Sequence, residues 1–205
     1  LAELLKGQGY VPAAMGKSGL GPPGSEGDPL RQGFDHFFGY NCQRQAHNYY
    51  PTYLYDDDRR LPLDNPAFLV NQKLPDGADP ADARRYAGYA GKVYAPDLTW
   101  ERARAFIREN KDRPFFLYLP HFGVHSPHQA KESWIARFKD KPAVGGHRNP
   151  TYAAMIASVD EVKKATADAA HYLVVDARHN LEEYTGKQLL SGLTRHFLLM
   201  TATPH

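Results

Sequence analysis

Two stretches of this sequence hold side chains in patterns that could do chemistry: Gly16-Lys17-Ser18-Gly19-Leu20-Gly21, and PFFLYLPHFGVHSPH from Pro114 to His128. In the first, a lysine sits in a glycine-rich turn directly after a candidate strand. Small residues there let backbone N–H groups and an ammonium approach one oxyanion together, so Lys17 is a candidate for holding phosphate or sulfate. Gly16-Lys17-Ser18 also ends like a phosphate-binding P-loop, but that motif needs a glycine where Val11 stands. An exposed loop lysine without a role is the plainer alternative.

The second stretch brings three histidines, His121, His125 and His128, broken by Gly123 and Pro127. His121 and His125 have the spacing of zinc ligands on a helix, yet Gly123 and Pro127 break such a helix and no third ligand is evident. A single histidine at a strand end, working as acid, base or oxyanion donor, is more economical. Polar loop histidines are the plain alternative. Asp56-Asp57-Asp58, flanked by Arg59 and Arg60, lacks the alternation by which a calcium loop turns its oxygens inward, and reads as a solvated hairpin tip. Cys42 has no evident activating base beyond Arg44 and reads as an inert thiol.

The elements that must position these groups follow from the apolar pattern. Pro114–Leu119 is too short and too aromatic for a helix and predicts a strand buried on both faces, its carboxyl end opening into the histidines. Leu1–Lys6 has helical spacing, and Tyr10–Met15 predicts a strand in which Pro12 marks an edge position or a strand start. A hairpin is expected between Tyr49 and Leu63, then a loose excursion over residues 64–90. Asp97 predicts the N-cap of a helix reaching Asn110, Trp134–Phe138 a short helix, and Asn149-Pro150 a capped helix start. Strands follow at 172–175 and 197–200. Helices alternating with apolar strands indicate an α/β layered fold.

With 205 residues and 42% apolar composition, the chain can build one domain with a real core. A formal charge of +2 gives no electrostatic argument for nucleic acid, and no apolar run approaches membrane-spanning length. One cysteine excludes an internal disulfide, and oligomeric state is left open. No signal segment opens the chain, and the start at Leu1 is expected to be the middle of something longer.

GYVPAAMGKSGLG, GFDHFFGYNCQRQAHNYYP, NKDRPFFLYLPHFGVHSPHQAK and YAAMIASVDE resemble, in order, the middle of a sulfatase of the arylsulfatase type, over residues 1–161. The resemblance implies an alkaline-phosphatase-like α/β fold, hydrolysis of sulfate esters on a small molecule or glycan, an exported protein, calcium, and a formylglycine nucleophile. It implies that Lys17 and His125 contact the sulfate, with His47 and His128 on the substrate side. Ser18 and Gly19 stand where Trp and His are commonest in that family. The C/S-x-P-x-R motif that yields formylglycine does not occur in the sequence, and the paired aspartates and the Asp-Asn pair that hold calcium are not found either. The expectation is therefore a chain that binds an oxyanion and does not turn an ester over.

Residues 170–205 resemble motifs II and III of a DEAH-box, Swi/Snf-type helicase instead. That resemblance implies nucleotide and Mg²⁺ roles for Asp176, His179, Thr201 and Thr203, although Ala177 replaces the glutamate that polarises water. The resulting division is a sulfatase-like part at 1–161 and a helicase-like strand–helix–strand at 162–205. Sulfate-ester hydrolysis, a helicase fragment and a non-catalytic oxyanion-binding module stand as the alternatives.

Overall fold

A computed structural model describes residues 1–67, 76–79, 82, 88–143, 148–167, 173–176 and 196–202. It is a mixed α/β structure built on one sheet. The strands are β1 (Val11–Lys17), β2 (His36–Tyr40), β3 (Tyr53–Asp56), β4 (Arg59–Pro62), β5 (Phe115–His121), β6 (Leu173–Asp176) and β7 (His196–Ala202). The helices are α1 (Ala2–Gly7), α2 (Ala95–Asn110), α3 (Glu132–Ile135) and α4 (Pro150–Ala167), with a 3-10 turn at Pro29–Gln32.

The sheet order is β4-β3-β2-β1-β5-β7-β6. Strands β2, β1, β5, β7 and β6 run parallel, and the β3–β4 hairpin extends the sheet antiparallel to β2. The period of two decides which side chain goes to which face. Ala13, Met15, Phe38, Tyr40, Phe115, Leu117 and Leu119 share one core with Phe106 and Ile107 of α2, Ile135 of α3 and Met155 of α4. Ala14, Phe37 and Phe116, one residue out of phase, pack with Ala2 and Leu5 of α1 on the opposite face. Helices on both faces of a parallel sheet explain why β1 and β5 read as nearly continuous apolar runs.

The buried strand at 114–119, the hairpin, and the strands near 173 and 197 appear where the sequence predicts them. Asn149 caps α4 as expected, its side-chain oxygen accepting from Tyr152 N–H at 3.0 Å. Of the two positions Pro12 allowed, the strand start holds: it is the second residue of β1, an interior strand, where a proline removes little of the ladder. One expectation is corrected, and one element is new. Asp97 does not cap α2, which starts two residues earlier after Tyr94 with Pro96 in its first turn, and Asp97 pairs instead with Lys131 at 2.7 Å. Strand β2 has no counterpart among the expected elements. Strands β6 and β7 lie in the same sheet as β1–β5, with β7 paired to β5 from Phe115 to His121. Most of the 64–90 excursion, His179 and Thr203 lie outside the described residues.

Candidate functional site

Parallel strands put all their carboxyl ends at one edge, and in such sheets ligands bind outside that edge. Here it carries Lys17 of β1, Tyr40 of β2 with Asn41 directly after it, and His121 of β5. The same edge ends β6 at Asp176 and carries Thr201 of β7 opposite Pro120.

A row of small residues draws the three central strand ends together. A Cβ on Gly39 would lie 2.1 Å from the carbonyl oxygen of Gly16, and one on Gly16 would lie 2.1 Å from that of Pro120. Lys17, the next residue, is therefore held in the strand rather than in a loop, and it is buried. Burial lowers its ammonium pKa, since the charged form loses solvation. Ser18 Oγ donates to the Tyr40 carbonyl at 3.4 Å. Gly19, with φ of 63°, lies so close to Gln43 that a Cβ would meet its side-chain nitrogen at 2.4 Å. The glycine-rich loop after β1 thus seats on the loop after β2.

That second loop begins with Asn41, whose side-chain amide is buried with neither oxygen nor nitrogen partnered among the described residues. It ends at His47, which meets the loop after β5. The Nε2 atoms of His47 and His125 are 3.1 Å apart, and their ring centroids 4.1 Å. His125 Nδ1 lies 2.6 Å from the Ser126 carbonyl, and His47 Nδ1 3.3 Å from that of Arg44. Tyr49 fixes this arrangement: its hydroxyl donates to the Phe122 carbonyl at 2.6 Å and accepts from His125 N–H at 3.0 Å. Gln129 then accepts from Tyr49 N–H at 2.7 Å and donates to the Tyr89 carbonyl at 2.6 Å. Tyr40 and Tyr49 are buried phenols whose pKa values are raised by desolvation, so both remain hydrogen-bond donors.

The structure thus brings together His47 and His125, predicted separately from the sequence, and sets Lys17 at the end of the neighbouring strand. His128 goes elsewhere: its Nδ1 lies 3.1 Å from Asn149 Nδ2 and its ring against Tyr152 at the start of α4. His121 lines a small cavity with Pro96, Thr99, Trp100 and Val162, and His125 is not part of that lining. Asp57, in the hairpin turn, accepts from Phe37 N–H at 2.8 Å, and Asp56 pairs with Arg102 at 2.5 Å. Asn41, Tyr49 and Gln129 escaped sequence reasoning, because an amide or phenol announces no chemistry until its neighbours are known.

Among the described residues no three His, Cys, Asp or Glu side chains converge. Calcium takes about six to eight oxygens, so the described residues do not fit the ion that the resemblance implies. A cleft of about 550 Å³ lined by Tyr50, Tyr94, Lys92, Lys131 and Glu132 lies on the other side of Gln129 and includes none of Lys17, His47 and His125.

His121 gives a pH dependence. Its Nε2 is sealed from solvent with no partner among the described residues, and burial holds the imidazole down to about 4. The unfolded chain therefore binds this proton first as pH falls, so the stability His121 contributes is complete above its unfolded value of 6.5 and is lost between 6.5 and about 4. The loss amounts to about 3 kcal/mol at most. Urea unfolding at pH 7 and pH 4 will show a smaller acid loss in His121→Leu than in the parent; equal losses would refute the assignment.

The family model described as Sulfatase matches residues 1–173 of this chain. Arylsulfatase J of Mus musculus is 27% identical over 163 residues, which are 78% of this chain and 24% of that protein. The crystal structure of Ps i-CgsB in complex with k-i-k-neocarrahexaose superposes with a TM-score of 0.59 at 23% identity, over 82% of this chain and 35% of that one. A second crystal structure of Ps i-CgsB gives 0.58 over the same shares. The chain thus spans about a quarter of the curated relative and about a third of the solved structures. The helicase resemblance of residues 170–205 gains no support from these comparisons.

Proposed function

This chain belongs to the sulfatase family, and from that premise we propose that its carboxyl edge is the oxyanion-recognition face of a sulfate-ester hydrolase. The observation that carries the reading is the buried Lys17 ammonium at the end of β1, one residue out of register from the unpartnered amide of Asn41. A sulfate at this edge would offset the solvation that burial takes from the Lys17 ammonium, and would give the Asn41 N–H₂ an acceptor. His125 and His47 flank the same edge. The substrate class is a sulfated small molecule or glycan. The family supports the sulfate, and the neocarrahexaose in the Ps i-CgsB complex supports a saccharide carrier.

The 205 residues contain no C/S-x-P-x-R motif. Without the attacking group, binding and charge stabilisation remain while covalent chemistry does not. The expected behaviour of this chain alone is therefore binding without turnover. Calorimetry with a sulfated oligosaccharide will show binding that weakens about tenfold or more in Lys17→Met, the size of one charge-assisted hydrogen bond. Equal affinities would place the sulfate elsewhere. Turnover of a chromogenic sulfate ester above that of a Lys17→Met, His125→Ala double variant would overturn the non-catalytic part.

A further inference from the structure

We propose that the cleft of about 550 Å³ beyond Gln129 is a second recognition site, which takes a further sulfated unit of an oligosaccharide chain. The inference rests on the sulfated-glycan reading above and extends it from one sulfate to a chain carrying several. Continuity of the walls leads to it. The loop after β2 carries His47 at the oxyanion edge and then gives Tyr50 to the cleft. The loop after β5 carries His125 at that edge and then gives Gln129, Ala130 and Lys131 to the cleft. Gln129 is the partition: it is buried, and its amide joins the Tyr49 N–H to the Tyr89 carbonyl. The two sites are thus neighbours along both loops.

The cleft wall is set before any ligand arrives. The Tyr50 hydroxyl donates to the Ala130 carbonyl at 3.4 Å and the Tyr94 hydroxyl to the Gln129 carbonyl at 3.1 Å. The two rings lie together with centroids 5.1 Å apart. Phenols held in this way lose little freedom on binding. The volume falls within the roughly 300–1,000 Å³ of small-ligand sites, and the lining mixes aromatic rings with charged groups. That mixture suits a sugar ring, which offers C–H faces to the phenols and polar substituents around its rim. Charge then selects a sulfated sugar over a neutral one. Lys92, Lys131 and Lys139 line the cleft against Asp97 and Glu132. Lys131 is matched by Asp97 at 2.7 Å. Lys92 pairs with Asp64 at 2.7 Å, but the two side chains are 73% and 79% exposed. An ion pair so open to solvent is weak enough for a sulfate to displace the carboxylate. Lys139 is exposed as well, so two ammonium groups stand at the mouth against Glu132.

Three probes separate the cleft from the oxyanion edge: a sulfated galactan hexasaccharide, its unsulfated counterpart and a monosulfated disaccharide, each titrated into the full chain by calorimetry. The double variant Lys92→Glu, Lys139→Glu changes two exposed positions that folding tolerates. It should weaken the sulfated hexasaccharide about tenfold or more and leave the disaccharide within about twofold. Lys17→Met should weaken both. Of the three isoleucines, Ile135 lines the cleft while Ile107 and Ile156 do not. In the unmutated chain the Ile135 methyl NMR signal should therefore shift with the sulfated hexasaccharide and stay in place with the disaccharide. Equal losses for the two sulfated probes, no loss for the hexasaccharide, or an Ile135 signal that does not move would each overturn the proposal. So would equally tight binding of the unsulfated hexasaccharide or of poly-L-glutamate. Disaccharide binding unchanged by Lys17→Met would instead sink the oxyanion reading, so the two failures are told apart.

Discussion

Gly16→Ala will destabilise the protein by about 4 kcal/mol, the sum of a left-handed backbone forced on a Cβ and overpacking against a fixed neighbour. Gly16 has φ of 134°, and the new Cβ would lie 2.1 Å from the Pro120 carbonyl oxygen, which belongs to the backbone of β5 and cannot rotate away. Relief requires parting β1 from β5 where Lys17 and His121 emerge. The melting temperature should fall by roughly 10 °C, and the surviving folded fraction should bind oxyanion more weakly because the strand ends no longer align. Gly7→Ala is the control: nothing lies within 4 Å of its Cβ position. A loss below about 1 kcal/mol for Gly16→Ala would mean that the close approach of the three strands is not what holds the edge together.

Tyr49→Phe is the second large effect. The side chain is 1% exposed, and the substitution keeps the ring while deleting an oxygen that serves the Phe122 carbonyl and the His125 N–H at once. Two backbone groups are then left without their partner inside the protein, at about 1–3 kcal/mol each, so a total near 3 kcal/mol is expected from the urea midpoint. The ring contacts with Tyr94 and Phe122 persist, so the cost isolates the hydroxyl. The loop after β5 also loses its tether, and His125 should lose its fixed approach to His47. A midpoint shift worth less than about 0.5 kcal/mol would show that water replaces the hydroxyl and that Tyr49 is packing alone.

What the sequence made legible is what short-range physics controls. β5 was readable because a seven-residue aromatic strand has no other way to satisfy its composition, and α4 because Asn-Pro carries its own cap. β2 was not, since His36-Phe-Phe-Gly-Tyr40 is short and sits among turns, and its status as a strand comes from pairing with β1. The cap of α2 was misread because Asp97 is a good cap by type, while Pro96 had already fixed the first turn upstream. Lys17, His47 and His125 could be named from motifs. That His47 and His125 touch could not, because they are 78 residues apart and meet through the strand order. Asn41 became visible once its amide was seen to be buried without a partner.

The outer rim of the β3–β4 hairpin settles a different matter. Among the described residues β4 is the last strand on its side, and an unpaired strand flank invites another chain to add itself by backbone pairing. Arg59 and Arg60 stand exposed on it, Arg60 folding back over the Tyr53 ring at 4.7 Å, and Pro62 ends it without an amide hydrogen to offer. A second molecule approaching this flank would have to bury two guanidinium groups and forgo a ladder bond. On this side, strand addition by a second molecule is disfavoured from its first step.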